Sequence, residues 1–247
     1  MQIPARRTPR TPAAAGDRAL PFTSVDVVIF TVLDGRLQVL LVQRPDDEHE
    51  PFPGRWALPG GGVDVHRDAN LLASARRTLK EKTGIASPYL EQLGSWGSRD
   101  RDPRGWSATH VYFALVPAAC LKPVKGASAA AVRWDPVDAV VRYGGMAFDH
   151  GDILDAALER LRSKVEYTSL PAYLLPEPFT LPQLQRTYEV ILGRPVDKSG
   201  FRTRALAADF LEEVGTTEGD SRRSAAAYRL KDRDRLVVFP RTFSPRG

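Results

Sequence analysis

The chain has 247 residues, of which 43% are hydrophobic and 26% are charged, so it is long enough for one large or two small domains with a buried core. Its single cysteine, Cys120, excludes an internal disulfide and is typical of a reducing cytoplasm. No segment approaches the roughly 18 apolar residues of a membrane helix, and the N-terminus lacks the apolar core of a signal peptide. We therefore expect a cytoplasmic protein with no membrane partner.

Positive charge is concentrated at the two ends of the chain. The net charge is +5: residues 1–20 carry +3, residues 181–247 carry +4, and the residues between them carry −2. Basic ends are typical of a protein with a polyanionic partner, although a solubilising surface gives the same pattern. We expect residues 1–22 to form a flexible basic arm.

The sequence from Thr23 onward predicts strands and helices in one α/β (α+β) sandwich of residues 23–168. SVDVVIFTVL and RLQVLLVQR flank Asp34-Gly35, which is a strong hairpin signal. A helix is predicted from about Asn70 to Lys82, stopped by Gly84. YLEQLGSWGS, THVYFALVP and AAVRWDPVDAV predict further strands, and DILDAALERLRSKVEY predicts a closing helix.

A different pattern begins after this helix. SLPAYLLPEPFT carries three prolines and predicts a linker or an edge strand. Thr180 and Gln183 form a capping box at the start of the helix TLPQLQRTYEVILG. Asp197 caps a second predicted helix, DKSGFRTRALAADFLEEVG, and TTEGDSRRSAAAYRL predicts a basic hairpin. Two helices followed by a hairpin predict a winged helix-turn-helix domain in residues 169–247.

The segment LPGGGVDVHRDANLLASARRTLKEKTGI resembles the Nudix box of the Nudix hydrolases. In those enzymes, carboxylates on one face of the box helix hold Mg²⁺ against a pyrophosphate. The matching positions here are Thr78, Glu81 and Lys82, which share a helix face. Because Mg²⁺ requires several hard oxygen ligands, and because like charges at about 4 Å repel by roughly 4 kcal/mol, we predict no metal site, no catalytic residue and no need for Mg²⁺.

Such a pocket still has groups that bind a nucleotide. Glycine N–H groups and basic side chains bind phosphate, and tryptophan stacks on a base. The candidate ligand-binding residues are Arg44, Arg55, Trp56, Gly60, Gly61, Gly62, Arg77, Glu81, Lys82 and Trp106. Arg77 has the alternative role of bracing the loop through Glu81, and Trp56 is equally consistent with a core position. We expect His110 to be structural and Asp149 to cap a helix.

Two long phrases extend the resemblance beyond the box. FTLPQLQRTYEVILGRPVDKSGFRTRAL and MAFDHGDILDAALERLRSKVEYTSLPAYLLPEPF resemble the Nudix-related transcriptional regulators (NrtR-like). EKTGI and RDPRGWSATHVYFALVP are most similar to the NadQ-type repressors of NAD biosynthesis. The resemblance covers residues 23–247. It implies a homodimeric repressor whose winged helix binds double-stranded operator DNA and whose Nudix domain binds an effector nucleotide, ADP-ribose or a relative of NAD.

The DNA contacts are expected on the second helix, at the wing tip and in the arm. The second helix is expected to enter the major groove, and the wing and arm to contact phosphates or the minor groove. The candidate residues are Lys198, Arg202, Thr203, Arg204, Arg222, Arg223, Arg6, Arg7 and Arg10.

Two other functions remain open from the sequence. One is an active Nudix pyrophosphohydrolase that acts on ADP-ribose or a similar nucleotide. The other is a DNA-binding adaptor whose Nudix domain binds nothing. The pair Thr78 and Lys82 favours a repressor over the hydrolase, because it removes two of three expected carboxylates.

Overall fold

The computed structural model describes residues 20–84, 89–120, 131–218 and 224–240. None of the helices in these ranges has the length and apolar character needed to cross a membrane. The strands are β1 (Phe22–Leu33), β2 (Arg36–Gln43), β3 (Trp56–Ala57), β4 (Gly60–Gly62), β5 (Tyr89–Ser98), β6 (Ser107–Leu115), β7 (Ala131–Pro136), β8 (Phe179–Thr180), β9 (Leu211–Glu218) and β10 (Ser224–Leu230). The helices are α1 (Leu71–Thr83), α2 (Val137–Tyr143), α3 (His150–Val165), α4 (Leu181–Leu192) and α5 (Lys198–Ala207), with 3₁₀ turns at Ala118–Cys120 and Leu170–Leu174.

Strand β1 is the centre of a mixed sheet in the first domain. The sheet order is β3-β2-β1-β6-β5, with β4 paired to β1 and β7 paired to β2. β1 runs antiparallel to β2 and parallel to β6. The predicted hairpin between β1 and β2 is confirmed: Asp34 and Gly35 both have positive φ, which matches the twist of a two-residue hairpin turn.

Alternate residues of β1 face two separate hydrophobic clusters, which makes the first domain a sandwich. Val25, Val27 and Ile29 pack against Ala75 and Leu79 of α1. Val28 and Phe30 face the opposite side, in a cluster that includes α3. The predicted sandwich is confirmed, and the box helix ends at Gly84, where φ is +73°.

The second domain is the predicted winged helix. The capping box of Thr180 and Gln183 starts α4, and the rings of Tyr188 and Phe201 pack at 5.2 Å between α4 and α5. β8, β10 and β9 form a three-stranded sheet beside them.

One predicted boundary in this domain is wrong. We expected the second helix to continue through DFLEEVG, but α5 ends at Ala207 and β9 begins at Leu211. Asp209 has φ +55°, which breaks the helix, and the next residue, Phe210, packs on Phe239 at 5.7 Å. Pairing with β10 and burial of Phe210 therefore outweigh the local helical pattern.

The proline-rich segment between the domains is a buried connector rather than a linker. Residues 170–174 form a 3₁₀ turn in which every residue is buried, and the rings of Tyr173 and Tyr89 lie 5.3 Å apart. Only the end of the segment, Phe179–Thr180, is the edge strand β8. The three prolines do not release this segment to solvent, because its apolar side chains fill the space between α3 and α4.

Tyr188 ties α4 to the connector, which gives a prediction for stability. Its hydroxyl donates to the carbonyl of Thr168 at 2.6 Å and is fully buried. Tyr188→Phe keeps the ring and removes this donor, so we expect the free energy of unfolding to fall by about 1–3 kcal/mol in urea denaturation. Tyr143→Phe, at an exposed tyrosine, is the control and should have no effect. Equal stability of Tyr188→Phe and the wild type would contradict the prediction.

Candidate functional site

One pocket lies where β1 and β4 meet the end of α1 and the start of α3. Its volume is about 260 Å³. Five of the predicted ligand-binding residues line it: Arg44, Gly60, Gly61, Gly62 and Lys82. Fourteen residues that the sequence did not single out as ligand-binding also line it, among them Asp26, Glu50, Arg101, Asp102, Arg104 and His150.

The glycine-rich segment forms a strand, not a turn. Gly60, Gly61 and Gly62 pair with β1, so that Gly60 lies opposite Asp26. A Cβ atom at Gly60 would lie 1.7 Å from Asp26 Oδ1 and 2.9 Å from the carbonyl oxygen of Val25. Glycine at position 60 is therefore required for β4 to lie against the Asp26 carboxylate.

Lys82 supplies the pocket with a cation that is available to a ligand. Only 6% of its surface is exposed, and burial lowers the pKa of its ammonium group although neighbouring Glu81 opposes this. In the described parts of the chain, no carboxylate lies within 4 Å of Lys82. The other pocket cations are paired: Arg44 with Glu50 at 2.7 Å, Arg101 with Asp149 at 2.8 Å, and Arg104 with Asp102 at 2.8 Å.

Arg77 lies outside the pocket lining and braces the loop before α1. It donates to both carboxylate oxygens of Asp68, at 2.8 and 2.7 Å, and its distance to Glu81 is 3.6 Å. These hydrogen bonds hold the pKa of Asp68 well below its usual range, although burial of the carboxyl opposes the shift. The brace considered from the sequence therefore exists, but its main partner is Asp68 and Glu81 is secondary.

Three more predicted residues lie beside the pocket and do not line it. Arg55 lies over the ring of Phe52 at 5.9 Å. Trp56 is half-buried in β3 under the guanidinium of Arg133, 3.8 Å from its ring centre. Glu81 is on the outer side of α1 and is 45% exposed.

Trp106 lines a second cavity next to the first. This cavity has a volume of about 410 Å³ and includes Leu20. Both cavities are lined by Phe22, Asp102 and Arg104, so they adjoin. Because half of the Trp106 surface is exposed, its ring is accessible to a molecule that occupies this cavity.

A buried polar group at the floor of the pocket was not found from the sequence. Asp26 Oδ2 accepts a hydrogen bond from Thr109 at 2.7 Å and lies 3.6 Å from His150 Nε2. Leu58 N–H donates to His150 Nδ1 at 2.9 Å, so the imidazole proton is on Nε2, toward Asp26. Burial raises the pKa of Asp26, but His150, Thr109 and Arg101 together hold it below its ordinary value. The sequence feature that could have indicated this buried group is Asp26 itself, a charged residue inside the otherwise apolar run VDVVIF.

Two minor predictions have different outcomes. Asp149 occupies the N-cap position of α3, but its side chain makes no capping hydrogen bond and instead pairs with Arg101 through both oxygens. The capping role is therefore wrong, because the buried guanidinium of Arg101 is the stronger partner. His110 forms a hydrogen bond with Ser95 across β5 and β6 at 2.9 Å, which is a structural contact.

The residues that replace the Nudix carboxylates do not suit Mg²⁺. Thr78 is buried, Lys82 is cationic, and Glu81 is held by Arg67 at 3.3 Å as well as by Arg77. Among the residues that the structure describes, no group of three or more Asp, Glu, His or Cys side chains is placed to hold a metal ion. A divalent ion at this position would have one carboxylate and would face an ammonium group, so the donor set does not fit it.

The candidate DNA-binding face is the outer side of α5. The Asp197 side chain accepts from Gly200 N–H at 2.6 Å and fixes the start of the helix. Lys198, Arg202 and Thr203 are exposed on this helix, and Arg204 is half-buried. The opposite side of α5 is buried, and its Phe201 packs on Tyr188 of α4. This packing holds the exposed side of α5 in a fixed orientation. The other predicted contacts, Arg222, Arg223, Arg6, Arg7 and Arg10, lie outside the described residues.

The Asp68–Arg77 pair gives a prediction for stability against pH. Asp68→Asn removes the charge in place, so at neutral pH we expect the free energy of unfolding to fall by about 1.5–3 kcal/mol. Because the pKa of Asp68 is depressed in the folded state, its contribution is present above its ordinary value of 3.8 and is lost as pH falls below it. Urea denaturation at several pH values should show the difference from wild type shrinking below about pH 4, whereas exposed Asp100→Asn should match wild type throughout. A difference independent of pH would contradict this.

The chain matches two family models in succession. The NUDIX domain model matches residues 23–157, and the NrtR DNA-binding winged helix domain model matches residues 171–230.

Known proteins resemble the chain over most of its length. The ADPR responsive transcriptional repressor NtrR of Acinetobacter baylyi is 43% identical over 225 residues, which are 91% of this chain and 88% of that protein. The structure of Shewanella oneidensis NrtR complexed with a 27mer DNA is 41% identical, with a TM-score of 0.80, and covers 89% of this chain and 98% of that one. The NUDIX domain of the same protein complexed with ADP ribose is 42% identical, with a TM-score of 0.52, over 57% of this chain and 89% of that one. Identity of this degree over both domains in the same order shows that the chain belongs to the NrtR family, in which a Nudix domain precedes a DNA-binding winged helix.

Proposed function

We propose that this chain is a transcriptional repressor of NAD metabolism genes that binds operator DNA through its winged helix and ADP-ribose through its Nudix domain, without hydrolysing the nucleotide. The observation that carries the proposal is Lys82: a buried lysine lines the pocket where a hydrolase would hold a metal. Its ammonium charge neutralises a phosphate directly, so binding needs no divalent ion, and a metal-activated water is absent from the mechanism.

The related proteins indicate what the two binding partners are. The Acinetobacter protein is named for its response to ADPR, and the Shewanella protein was crystallised with DNA and, as a NUDIX domain, with ADP ribose. In this chain the glycine strand and Lys82 would contact the diphosphate, and Trp106 would stack on the base in the neighbouring cavity. We further propose a cytoplasmic homodimer, with residues 1–22 as an arm, 23–168 as the effector domain and 169–247 as the DNA-binding domain.

On the DNA side, α5 would lie in the major groove. Lys198, Arg202 and Thr203 reach phosphates or base edges from its exposed side, and Arg204 supports them at its margin. The wing-tip residues Arg222 and Arg223, and Arg6, Arg7 and Arg10 of the arm, would add phosphate or minor-groove contacts.

The proposal predicts the effect of removing one α5 cation. Arg202→Ala should weaken binding to the operator about tenfold or more in a gel shift, and should reduce the magnitude of the log–log salt slope by about 0.9 if the lost contact is to a phosphate. ADP-ribose affinity should not change. Arg142→Ala, at an exposed arginine on α2, is the matched control and should bind DNA like wild type. DNA affinity that survives Arg202→Ala would count against the placement of α5 on DNA.

The effector side predicts metal-independent binding. Calorimetry in EDTA should show ADP-ribose binding to wild type, and Lys82→Ala should weaken it about tenfold, because a charged hydrogen bond to phosphate is lost. Affinity should also decline as pH rises through the lowered pKa of Lys82, since only the ammonium form neutralises phosphate. Lys80→Ala, two residues away and exposed, is the control. Multiple turnover of ADP-ribose with Mg²⁺ would instead favour a pyrophosphohydrolase, and no binding of any nucleotide would favour a DNA-binding adaptor.

A further inference from the structure

The pocket contains a hydrogen-bond acceptor, Asp26 Oδ1, that receives no hydrogen bond from the part of the chain that the structure describes. Asp26 is more than nine-tenths buried and lines the pocket. Its Oδ2 atom accepts a hydrogen bond from the hydroxyl of Thr109 and faces His150. Among the described residues, no side-chain or backbone group forms a hydrogen bond with Oδ1. Every described side-chain oxygen or nitrogen that is closed off from solvent has a partner, so Oδ1 is open to the pocket.

The surroundings of Asp26 fix which oxygen faces a ligand. Thr109 donates its hydroxyl to Oδ2, and the imidazole of His150 turns its Nε2–H toward the same atom because Leu58 N–H occupies Nδ1. Gly60 lets the backbone of β4 pass beside Oδ1 without covering it with a side chain. The carboxylate is thus held in one orientation, as an anionic acceptor aimed into a site that otherwise attracts anions.

An acceptor of this kind needs a ligand that brings its own donors. A bare phosphate next to Asp26 would be repelled, whereas a pair of sugar hydroxyls would donate to it. The pocket holds phosphate-binding groups in Lys82 and the β4 glycines, and the adjoining cavity holds the exposed ring of Trp106. Trp106 lies at the Phe22 end of β1, whereas Asp26 lies four residues farther along this strand, opposite Gly60. With the base near Trp106 and the diphosphate along the β4 glycines, the group beyond the diphosphate would meet Asp26.

Resting on the proposed function, we infer that Asp26 Oδ1 accepts hydrogen bonds from the hydroxyls of the sugar beyond the diphosphate, so that the pocket selects a nucleoside diphosphate that carries a second ribose over a plain nucleoside diphosphate. Asp26 is then a specificity-determining residue for the effector. It acts by direct contact with one sugar and leaves the affinity for the base and the diphosphate to other residues.

Asp26→Asn tests this contact with almost no change in volume. Because Thr109 donates to Oδ2 and His150 turns its Nε2–H toward the same atom from 3.6 Å, the amide oxygen takes that position and the amide NH₂ turns toward the pocket. The substitution therefore converts the acceptor facing the ligand into a donor. Asp138→Asn is the matched control. Asp138 is an exposed aspartate of α2 that pairs with Arg36 and does not line the pocket.

The experiment is calorimetry on the full chain with ADP-ribose and ADP as the two probes. Asp26→Asn should weaken ADP-ribose about tenfold or more and should not weaken ADP, and Asp138→Asn should change neither. Retained ADP binding also shows that the variant pocket is folded. An equal loss for both probes, or no loss for either, would overturn the inference while the proposed function stands.

A ligand-side measurement covers the case in which Asp26→Asn does not fold. Wild type should bind an ADP-ribose analogue that lacks the C2 and C3 hydroxyls of the second sugar about tenfold more weakly than ADP-ribose. Equal affinities would overturn the inference. Wild type that binds neither ADP-ribose nor ADP would overturn the proposed effector itself, and this inference with it.

Discussion

One continuous hydrophobic core joins the Nudix sheet to the winged helix. It runs from Phe30 of β1 through Leu161 of α3 and Tyr173 of the connector to Tyr188 and Phe201 of the second domain, all of them buried. α4 lies against α3, the connector and β2, so the DNA-binding domain is not attached by a free linker. Fixing both domains to a shared core fixes the orientation of α5 relative to the sheet that carries the pocket.

Polar contacts reinforce this shared core at its edges. Arg162 donates to the carbonyl oxygen of Ile191 near the end of α4 at 3.1 Å, and Arg194 pairs with Glu166 at 2.6 Å. After the wing, the chain returns to the junction, where Phe239 N–H donates to the carbonyl of Tyr167 at 2.7 Å. Separating the domains would expose apolar surface and break these contacts, so the arrangement is costly to open.

The elements whose signals are local could be predicted from the sequence. The Asp34-Gly35 turn, the capping box at Thr180 and the stop at Gly84 depend on residues within a few positions of one another. The end of α5 could not be predicted, since the segment after it forms β9 only because β10 pairs with it.

The floor of the site could not be predicted for a related reason. Asp26 and His150 are far apart in sequence and meet only when β1 and α3 pack together. Lys82 was identified because a motif fixed its position on the helix, whereas Asp68 was not singled out because its pairing with Arg77 depends on how the loop before α1 folds. Arg55 and Trp56 show the opposite case: their residue types suit a nucleotide, but their side chains lie against Phe52 and Arg133 and do not line the pocket.

Helix α3 reaches from the pocket to the winged helix. Its first residue, His150, lines the pocket beside Asp26, and its last turns hold α4 through Arg162 and Glu166. A helix of 16 residues is about 24 Å long and transmits a displacement of one end to the other. An effector changes DNA affinity only by binding one arrangement of the protein more tightly than another. Because α3, the connector and α4 share one packed core, a ligand that displaced His150 would also displace the winged helix. In the homodimer proposed above, such a movement would change the spacing of the two recognition helices.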